Sequence, residues 1–292
     1  MSQERDATAA AVADMRCCFY GAGSMAEAIV RGLLGEGLAR PERIGVINRS
    51  NVDRLSELRE QYGVEAPSGE ADKNRLLAEA DVIFLCMKPK DADAALRGLS
   101  ALVSEKQLLV SVIAGLSTAT IGKLIGKPVA IVRTMPNTSS TIGLGATGLC
   151  CNAFVTASQQ ATAEALFRAV GITTVVEEPL IDAVTGLSGS GPAYIYYVME
   201  AMIEAGMRLG LSPEASQELT VQTVLGAASM VKATGEAPAE LRRKVTSPGG
   251  TTQAAVELLN DKQVSETLVR AVLRAAERAG ELGAALERST IS

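Results

Sequence analysis

Two glycine-bearing stretches of this chain have the residue types and spacing to do chemistry. The first is Gly21-Ala22-Gly23-Ser24-Met25-Ala26, which follows the apolar run Arg16-Cys17-Cys18-Phe19-Tyr20 and precedes Ala28, Ile29, Val30, Leu33 and Leu34 at helical spacing. A Gly-x-Gly-x-x-(Gly/Ala) turn between strand and helix is the pattern of a dinucleotide site. Gly21 would make the tight turn, Gly23 would let a pyrophosphate approach the backbone, and Ala26 would let helix and strand pack closely. A flavodoxin-like domain with a different ligand is the competing reading. The second stretch is Ser247-Pro248-Gly249-Gly250-Thr251-Thr252. Pro248 fixes its own φ and lacks a donor, while the glycines open backbone conformations closed to other residues. Thr251 or Thr252 is placed to cap a helix resuming with Ala254, Ala255, Val256, Leu258 and Leu259. Backbone N–H groups at such a helix start suit a small anion such as a carboxylate. Alone, these residues read more readily as a helix–turn–helix corner.

Between the two stretches lie further candidates. The expected second strand, Arg43 to Ile47, ends in Asn48-Arg49-Ser50-Asn51. An NAD site usually carries Asp or Glu there for the ribose 2′-hydroxyl. A cation with hydroxyl and amide donors suits a 2′-phosphate, so the turn favours NADPH over NADH; a solvated polar turn is the alternative. Lys88, at a strand end beside Pro89, is placed for a backbone contact to the cofactor; a chance surface cation is the alternative.

The whole chain narrows the chemistry. It contains no histidine, which removes His-based metal sites, Ser-His-Asp and Cys-His arrangements, and dehydrogenases with an imidazole acid–base. Its net charge of −5 and lack of a long basic run argue against nucleic acid and anionic membranes as partners. The longest apolar run, Leu108 to Leu116, falls far short of a bilayer span. The five cysteines, Cys17-Cys18, Cys86 and Cys150-Cys151, lack metal-type spacing. They read as small buried apolar residues in a reducing compartment, hence a cytoplasmic protein.

The elements that must hold these residues fall into two kinds. Residues 1–14 are polar and Ala-rich and are expected as a loose tail. From 15 to 178, strands alternate with helices: Val82 to Met87, Leu108 to Ile113 (ending in Ala114-Gly115), Ala130 to Val132 (leading into Met135-Pro136-Asn137-Thr138), Ala146 to Cys151 and Thr173 to Val176, with Gln159 to Val170 helical. That alternation is an α/β, doubly wound Rossmann domain, with ligands at the carboxyl edge. Glu177-Glu178-Pro179 marks the boundary, and 179–292 reads as all helix. Gly189-Ser190-Gly191-Pro192 opens a run to Leu209 whose charges, Glu200, Glu204 and Arg208, form one stripe. A helix apolar on nearly all other sides must be enclosed, which implies a dimer of intertwined helices; a thick monomeric bundle is the alternative. Ser212-Pro213 opens the next helix towards Val231, a shorter segment from Pro238 carries Arg242, Arg243 and Lys244, and a last helix runs from about Gln263 to Leu286.

Together these residues resemble the Δ1-pyrroline-5-carboxylate reductase family, which makes L-proline from its cyclic imine. The resemblance rests on the first glycine turn, Met87-Lys88-Pro89, Met135-Pro136-Asn137-Thr138, the stretch Asp182-Ala183-Val184-Thr185-Gly186-Leu187-Ser188-Gly189-Ser190-Gly191-Pro192-Ala193-Tyr194, and Leu241 through Val245-Thr246 into the second glycine loop. It covers essentially everything from Met15. It implies a Rossmann domain, a helical dimerisation domain, a substrate pocket shared between protomers, and further assembly into decamers in some members. Carried over by position, Thr252 is the catalytic residue, hydrogen-bonding the ring nitrogen, and Ser247, Gly249, Gly250 and Thr251 cradle the carboxylate. The cofactor contacts implied are Tyr20, Gly21, Ala22, Gly23, Ser24 and Met25; Asn48, Arg49 and Ser50; Asn74; Cys86, Met87, Lys88 and Pro89; and Ala114. The cofactor is NADPH, with NADH as a weaker substitute, and no metal is expected. Lys244 departs from the Asn that some relatives carry. Two rivals stand beside this reading. A β-hydroxyacid dehydrogenase shares the two-domain plan, but it needs a lysine on the first long helix of the second domain, and residues 191–211 contain none. A non-catalytic NADPH-binding sensor or scaffold would bind the cofactor and turn over no imine.

Overall fold

Short runs of β-branched, aromatic and aliphatic residues form seven strands, and the helices between them fill the crossovers. β1 (Cys17–Tyr20) passes through the glycine turn into α1 (Ser24–Gly35). β2 (Ile44–Ile47) leads to α2 (Val52–Tyr62) and α3 (Glu70–Glu79), β3 (Val82–Leu85) to α4 (Ala92–Leu99), and β4 (Leu108–Ser111) to α5 (Thr118–Ile125). β5 (Ala130–Met135), β6 (Gly145–Cys151), α6 (Ala157–Arg168) and β7 (Gly171–Val175) complete the sheet. This computed structural model describes residues 12–291.

The strand order is β2-β1-β3-β4-β5-β6-β7. Outside β2, Glu65 forms a single parallel bridge to Gly45, its N–H donating to the Ile44 carbonyl at 2.9 Å and its carbonyl accepting from Val46 at 2.8 Å. This one-residue ladder stands where a doubly wound dinucleotide fold places its third strand, so the order reverses between β1 and β3. All pairings are parallel except β5 with β6. The link between those two strands, residues 136–144, is too short for a crossover helix and turns the chain back on itself.

Alternation along each strand feeds two cores. Phe19, Val46, Phe84, Val110 and Val132 face α1 and α6, whereas Cys18, Ile83, Leu85, Leu109 and Ile131 face α3, α4 and α5. Phe19 and Phe84 stack at 4.3 Å across neighbouring strands.

The chain divides into two units, one comprising residues through Gly189 together with those from Ala275 onward, the other Ser190–Arg274. The first unit therefore extends past the expected boundary at 178. Glu178 accepts hydrogen bonds from the Thr118 N–H (2.7 Å) and hydroxyl (2.6 Å) and pairs with buried Arg133 at 3.3 Å. Ile181, in the short helix α7 (Ile181–Val184), is buried, and Val184 packs so closely on Gly148 that a Cβ there would lie 2.7 Å away. The tail of the last helix returns to the same unit: the Thr120 hydroxyl donates to Glu287 at 3.0 Å, and Gly283 packs on Gly115. These are contacts across long sequence separations, invisible to local pattern. Residues 12–14 are helical and Val12 is fully buried, so that part of the expected loose tail is structured; the rest of it lies outside the described residues.

After a π-helical turn at Thr185–Gly189, the second unit is helical, as expected. It contains α8 (Gly191–Arg208), α9 (Pro213–Thr234), α10 (Pro238–Lys244), α11 (Thr251–Asp261) and the start of α12 (Val264–Ile291). Ser212 caps α9, its hydroxyl accepting from the Ala215 N–H at 3.2 Å, with Pro213 at the first helical position. α8 and α9 approach closely where Gly206 meets Ser216; a Cβ on the glycine would lie 2.7 Å from the serine oxygen.

Candidate nucleotide cleft and substrate loop

The carboxyl ends of β1, β2 and β3 open onto one cleft of about 560 Å³ within the first unit. Tyr20 and Gly21–Gly23 form one wall, Asn48–Asn51 with Arg54 a second, and Cys86–Lys88 with Lys90 and Asp91 a third. The crevice at the reversal of strand order is where open α/β sheets bind their ligands.

The cleft passes a local test for a dinucleotide. Gly21 has φ +122, and an added Cβ would lie 2.5 Å from the Cys86 carbonyl carbon and oxygen, so only glycine brings β1 and β3 together here. At Gly23 a Cβ would meet nothing within 4 Å, and α1 begins there with no side-chain cap. Its first N–H groups, at the positive end of the helix dipole, are thus available to a pyrophosphate. Ala26 is buried beneath the turn.

The β2 turn is shaped by amide side chains. Asn48 donates to the Asn51 carbonyl at 2.8 Å and accepts from the Asn51 N–H at 3.1 Å, while the Asn51 side chain caps α2 by accepting from the Arg54 N–H at 3.0 Å. Arg49, at the tip of this turn, is largely exposed and pairs with Asp91 across the cleft at 3.0 Å. Arg54 escaped the sequence reading. It donates to the Ala22 carbonyl at 3.2 Å, pairs with Glu57 at 3.0 Å and forms an ion pair with Glu27, whose carboxylate also accepts from the Tyr62 hydroxyl at 2.9 Å. Partial burial alone would raise the Glu27 carboxyl, but the hydrogen bonds from Arg54 and Tyr62 prevail and hold it below its ordinary value. The network ties the glycine turn to α2.

Of the expected cofactor residues, Tyr20, Gly21, Ala22, Gly23, Asn48, Arg49, Ser50, Cys86, Met87 and Lys88 line the cleft. Ser24, Met25, Pro89 and Ala114 are not among its lining. Ser24 and Met25 open α1, so their backbone N–H groups are among those without an intrahelical acceptor; the Met25 side chain packs against the core, and Ala114 follows β4, one strand further along the sheet. Asn74 lines an adjoining cavity of about 200 Å³ with Tyr20, Asn48, Arg49 and Lys73. Lys73, also missed, is buried and pairs with Glu70 at 2.7 Å; only its helical neighbourhood with Leu76 and Leu77 could have flagged it. All five cysteines are free thiols, and burial pushes Cys17 and Cys18 up to about 12. No cluster among the described residues could hold a metal ion.

In the second unit, the Ser247–Thr252 loop is a tight turn running into α11. Gly250, not a threonine, is the N-cap, and no side chain caps the helix from that position. The cap is supplied from within the helix instead. The Gly249 N–H, at φ +71, donates to Gln253 Oε1 at 2.7 Å, and Gln253 Nε2 donates to Glu257 at 2.7 Å. The Gly250 N–H is committed to the Ser247 carbonyl at 3.0 Å. Thr251 and Thr252, in the first turn, have N–H groups without an intrahelical acceptor. Lys244 pairs with Glu236.

Known proteins match this architecture along its length. Residues 178–282 match the description pyrroline-5-carboxylate reductase dimerisation, and 16–115 match NADP oxidoreductase coenzyme F420-dependent. Pyrroline-5-carboxylate reductase 2 of Bacillus subtilis is 42% identical over 275 residues, covering 92% of this chain and 98% of the relative. The chain belongs to the pyrroline-5-carboxylate reductase family. The solved reductase of Coxiella burnetii superposes with a TM-score of 0.86 at 42% identity, over 92% of this chain and 98% of its own. That of Plasmodium falciparum, solved with NADP bound, gives 0.82 at 28% identity over 93% and 99%. Asn137 has a structural role: its side chain donates to the Ser188 carbonyl at 3.0 Å and accepts from the Ala146 N–H at 3.2 Å, tying β6 to the π-helical turn.

Proposed function

We infer that this protein reduces Δ1-pyrroline-5-carboxylate to L-proline, with NADPH as the hydride donor, NADH as a weaker substitute, and a homodimer as its working form. The observation that carries the reading is a match to pyrroline-5-carboxylate reductases over more than nine-tenths of the chain, in a structure whose glycine cleft and Ser247–Thr252 loop have the geometry such a reaction needs. The cleft residues fit the cofactor, with α1 facing the pyrophosphate and Arg49 facing the 2′-phosphate. Bound there, the cofactor supplies hydride for the C=N bond.

The substrate loop does the rest. A cyclic imine can enter already protonated, so the protein needs no proton donor of its own, in keeping with the absence of histidine. The Thr252 hydroxyl accepts from the ring N–H and fixes the reacting carbon's orientation. Ser247 and the N–H groups of the α11 first turn, Thr251 foremost, bind the carboxylate; Gly249 and Gly250 join them where the internal acceptors yield. Assembly rests on the helical unit, and sedimentation velocity determines whether dimers associate further, into a larger oligomer such as a decamer. Free thiols throughout support a cytoplasmic setting.

The test is NADPH oxidation with purified protein and pyrroline-5-carboxylate, with NADH in parallel. NADPH-preferring turnover to proline is expected. Thr252→Ala should lower kcat by about 10²-fold, the scale of one well-placed polar group. Tight NADPH binding without imine turnover would move the protein to the sensor reading.

A further inference from the structure

We propose that Asp91 competes with the cofactor's 2′-phosphate for Arg49 and thereby restrains the preference for NADPH over NADH. The inference rests on the reading above, in which the glycine cleft holds NADPH with Arg49 at the 2′-phosphate.

Asp91 is the only acidic residue among the described residues lining the cleft, facing Arg49, Arg54, Lys88 and Lys90. It occupies the N-cap position of α4, where an aspartate ordinarily turns back to accept from the helix's own N–H groups. Here it makes no side-chain cap bond, and its carboxylate instead accepts from Arg49 Nη1 at 3.0 Å. The two cationic side chains on the β2 side are not equivalent. Arg54 is already held by Glu27, Glu57 and the Ala22 carbonyl, whereas the ion pair of Arg49 is with Asp91. Arg49 is therefore the guanidinium available for exchange, and its present partner is an anion that a phosphate dianion can replace.

The two nucleotides meet this pair differently. NADPH brings a 2′-phosphate that needs the same fork of donors, so binding must loosen Arg49 from Asp91 and bring two anions near each other. NADH brings a neutral hydroxyl and leaves the pair's electrostatics nearly unchanged. Because the Arg49 side chain is 78% exposed, the competition is screened and modest.

Calorimetric titration of the full-length protein with NADPH and with NADH tests the proposal. Asp91→Asn, which keeps an N-cap-competent side chain, should tighten NADPH about threefold to tenfold, the range of a partly screened charge contact, and move NADH by less than twofold. The gain should shrink as salt is raised from 0.05 to 0.5 M. In the Arg49→Ala background, Asp91→Asn should lose most of that gain, because the two side chains act through one contact. An Arg49→Ala protein with an unchanged NADPH to NADH affinity ratio would overturn the assignment of Arg49 to the 2′-phosphate, and this proposal with it. If Arg49→Ala weakens NADPH selectively while Asp91→Asn weakens NADPH or shifts both nucleotides equally, the Arg49 assignment stands. Asp91 would then be an aid to Arg49, not its competitor.

Discussion

The two units solve the burial problem in opposite ways. In the first, every residue of β2, β3 and β4 is buried, and helices cover both faces of the sheet. In the second, α8 has no buried residue, and among the described residues the unit's only buried side chains are Ser216 and Thr220. Its apolar residues lie open: Tyr197 is 73% and Leu209 85% exposed. So many open apolar side chains in a stretch that matches a dimerisation domain mark an interface. The nucleotide unit thus carries its own core, whereas the helical unit supplies half of one, to be completed by another chain. The contrast also divides the labour of the site. The cleft is set by backbone geometry inside a closed core, while the proposed substrate loop, Ser247–Thr252, hangs on helices that bury little within one chain.

The largest effect should come from breaking that dependence. Leu225 on α9 is half exposed in a single chain. Leu225→Asp would bury an unpaired carboxylate in each copy of a symmetric interface, at a cost of several kcal/mol. Sedimentation should show loss of the dimer and the assay a near-complete loss of turnover, while NADPH still binds. A variant that stays dimeric and active would mean that this face is not the interface. In the wild type, the melting of the helical unit should rise with protein concentration, as mass action requires.

Next in size is damage confined to the nucleotide unit. Gly21→Ala places a Cβ against the Cys86 backbone at a φ that L-residues avoid. The strain, about 1–3 kcal/mol, would fall on the turn itself and weaken NADPH about tenfold to a hundredfold. The dimer should persist. Dissociation of this variant would show that the nucleotide turn and the helical interface are coupled.

A smaller effect concerns acid. The Glu27 carboxyl is held below its ordinary value in the folded state. A depressed carboxylate adds stability that is present above its unfolded pKa and lost as pH falls through the folded one. Glu27→Gln should therefore cost about 1 kcal/mol at pH 7, after allowance for solvent screening. Thermal melts of the variant and wild type should converge in acid below the ordinary carboxylate range, once Glu27 is protonated in the folded protein. An equal gap at both pH values would mean that the hydrogen-bond geometry matters and the charge does not.

What the sequence disclosed follows the range of the interactions. The strand–turn–helix around Gly21 and the helical run after Pro192 are local patterns, and both lie within a few residues of where they were expected. The absence of buried residues in α8 follows from the same pattern that predicted a partner for it. Other features needed the fold. Glu178 was legible as a boundary because it sits before a proline, yet its carboxylate caps α5 and pairs with Arg133, which keeps it in the first unit. Gln253, not a threonine, satisfies the Gly249 N–H, because a glutamine one turn into a helix can reach back over its own N-terminus. Arg54 reads as a surface helix residue until α2 is laid beside the glycine turn. Nothing in its sequence neighbours announces that contact.

The smallest effect is the cleanest probe of the contrast, because all five cysteines belong to the first unit and the second has none. Burial raises Cys17 and Cys18 to about 12, since a thiolate there would lose its hydration inside the sheet. At pH 8 neither should react with iodoacetamide, and the half-buried Cys151 should be modified first. Peptide mapping by mass spectrometry reads each site separately. Applied to Leu225→Asp, the same measurement asks whether the nucleotide unit survives the loss of its partner. Continued protection of Cys17 and Cys18 in the dissociated chain is the expected result, because the core that shields them is built within one copy. Labelling of both at the rate of an unfolded thiol would mean that the sheet, too, depends on assembly.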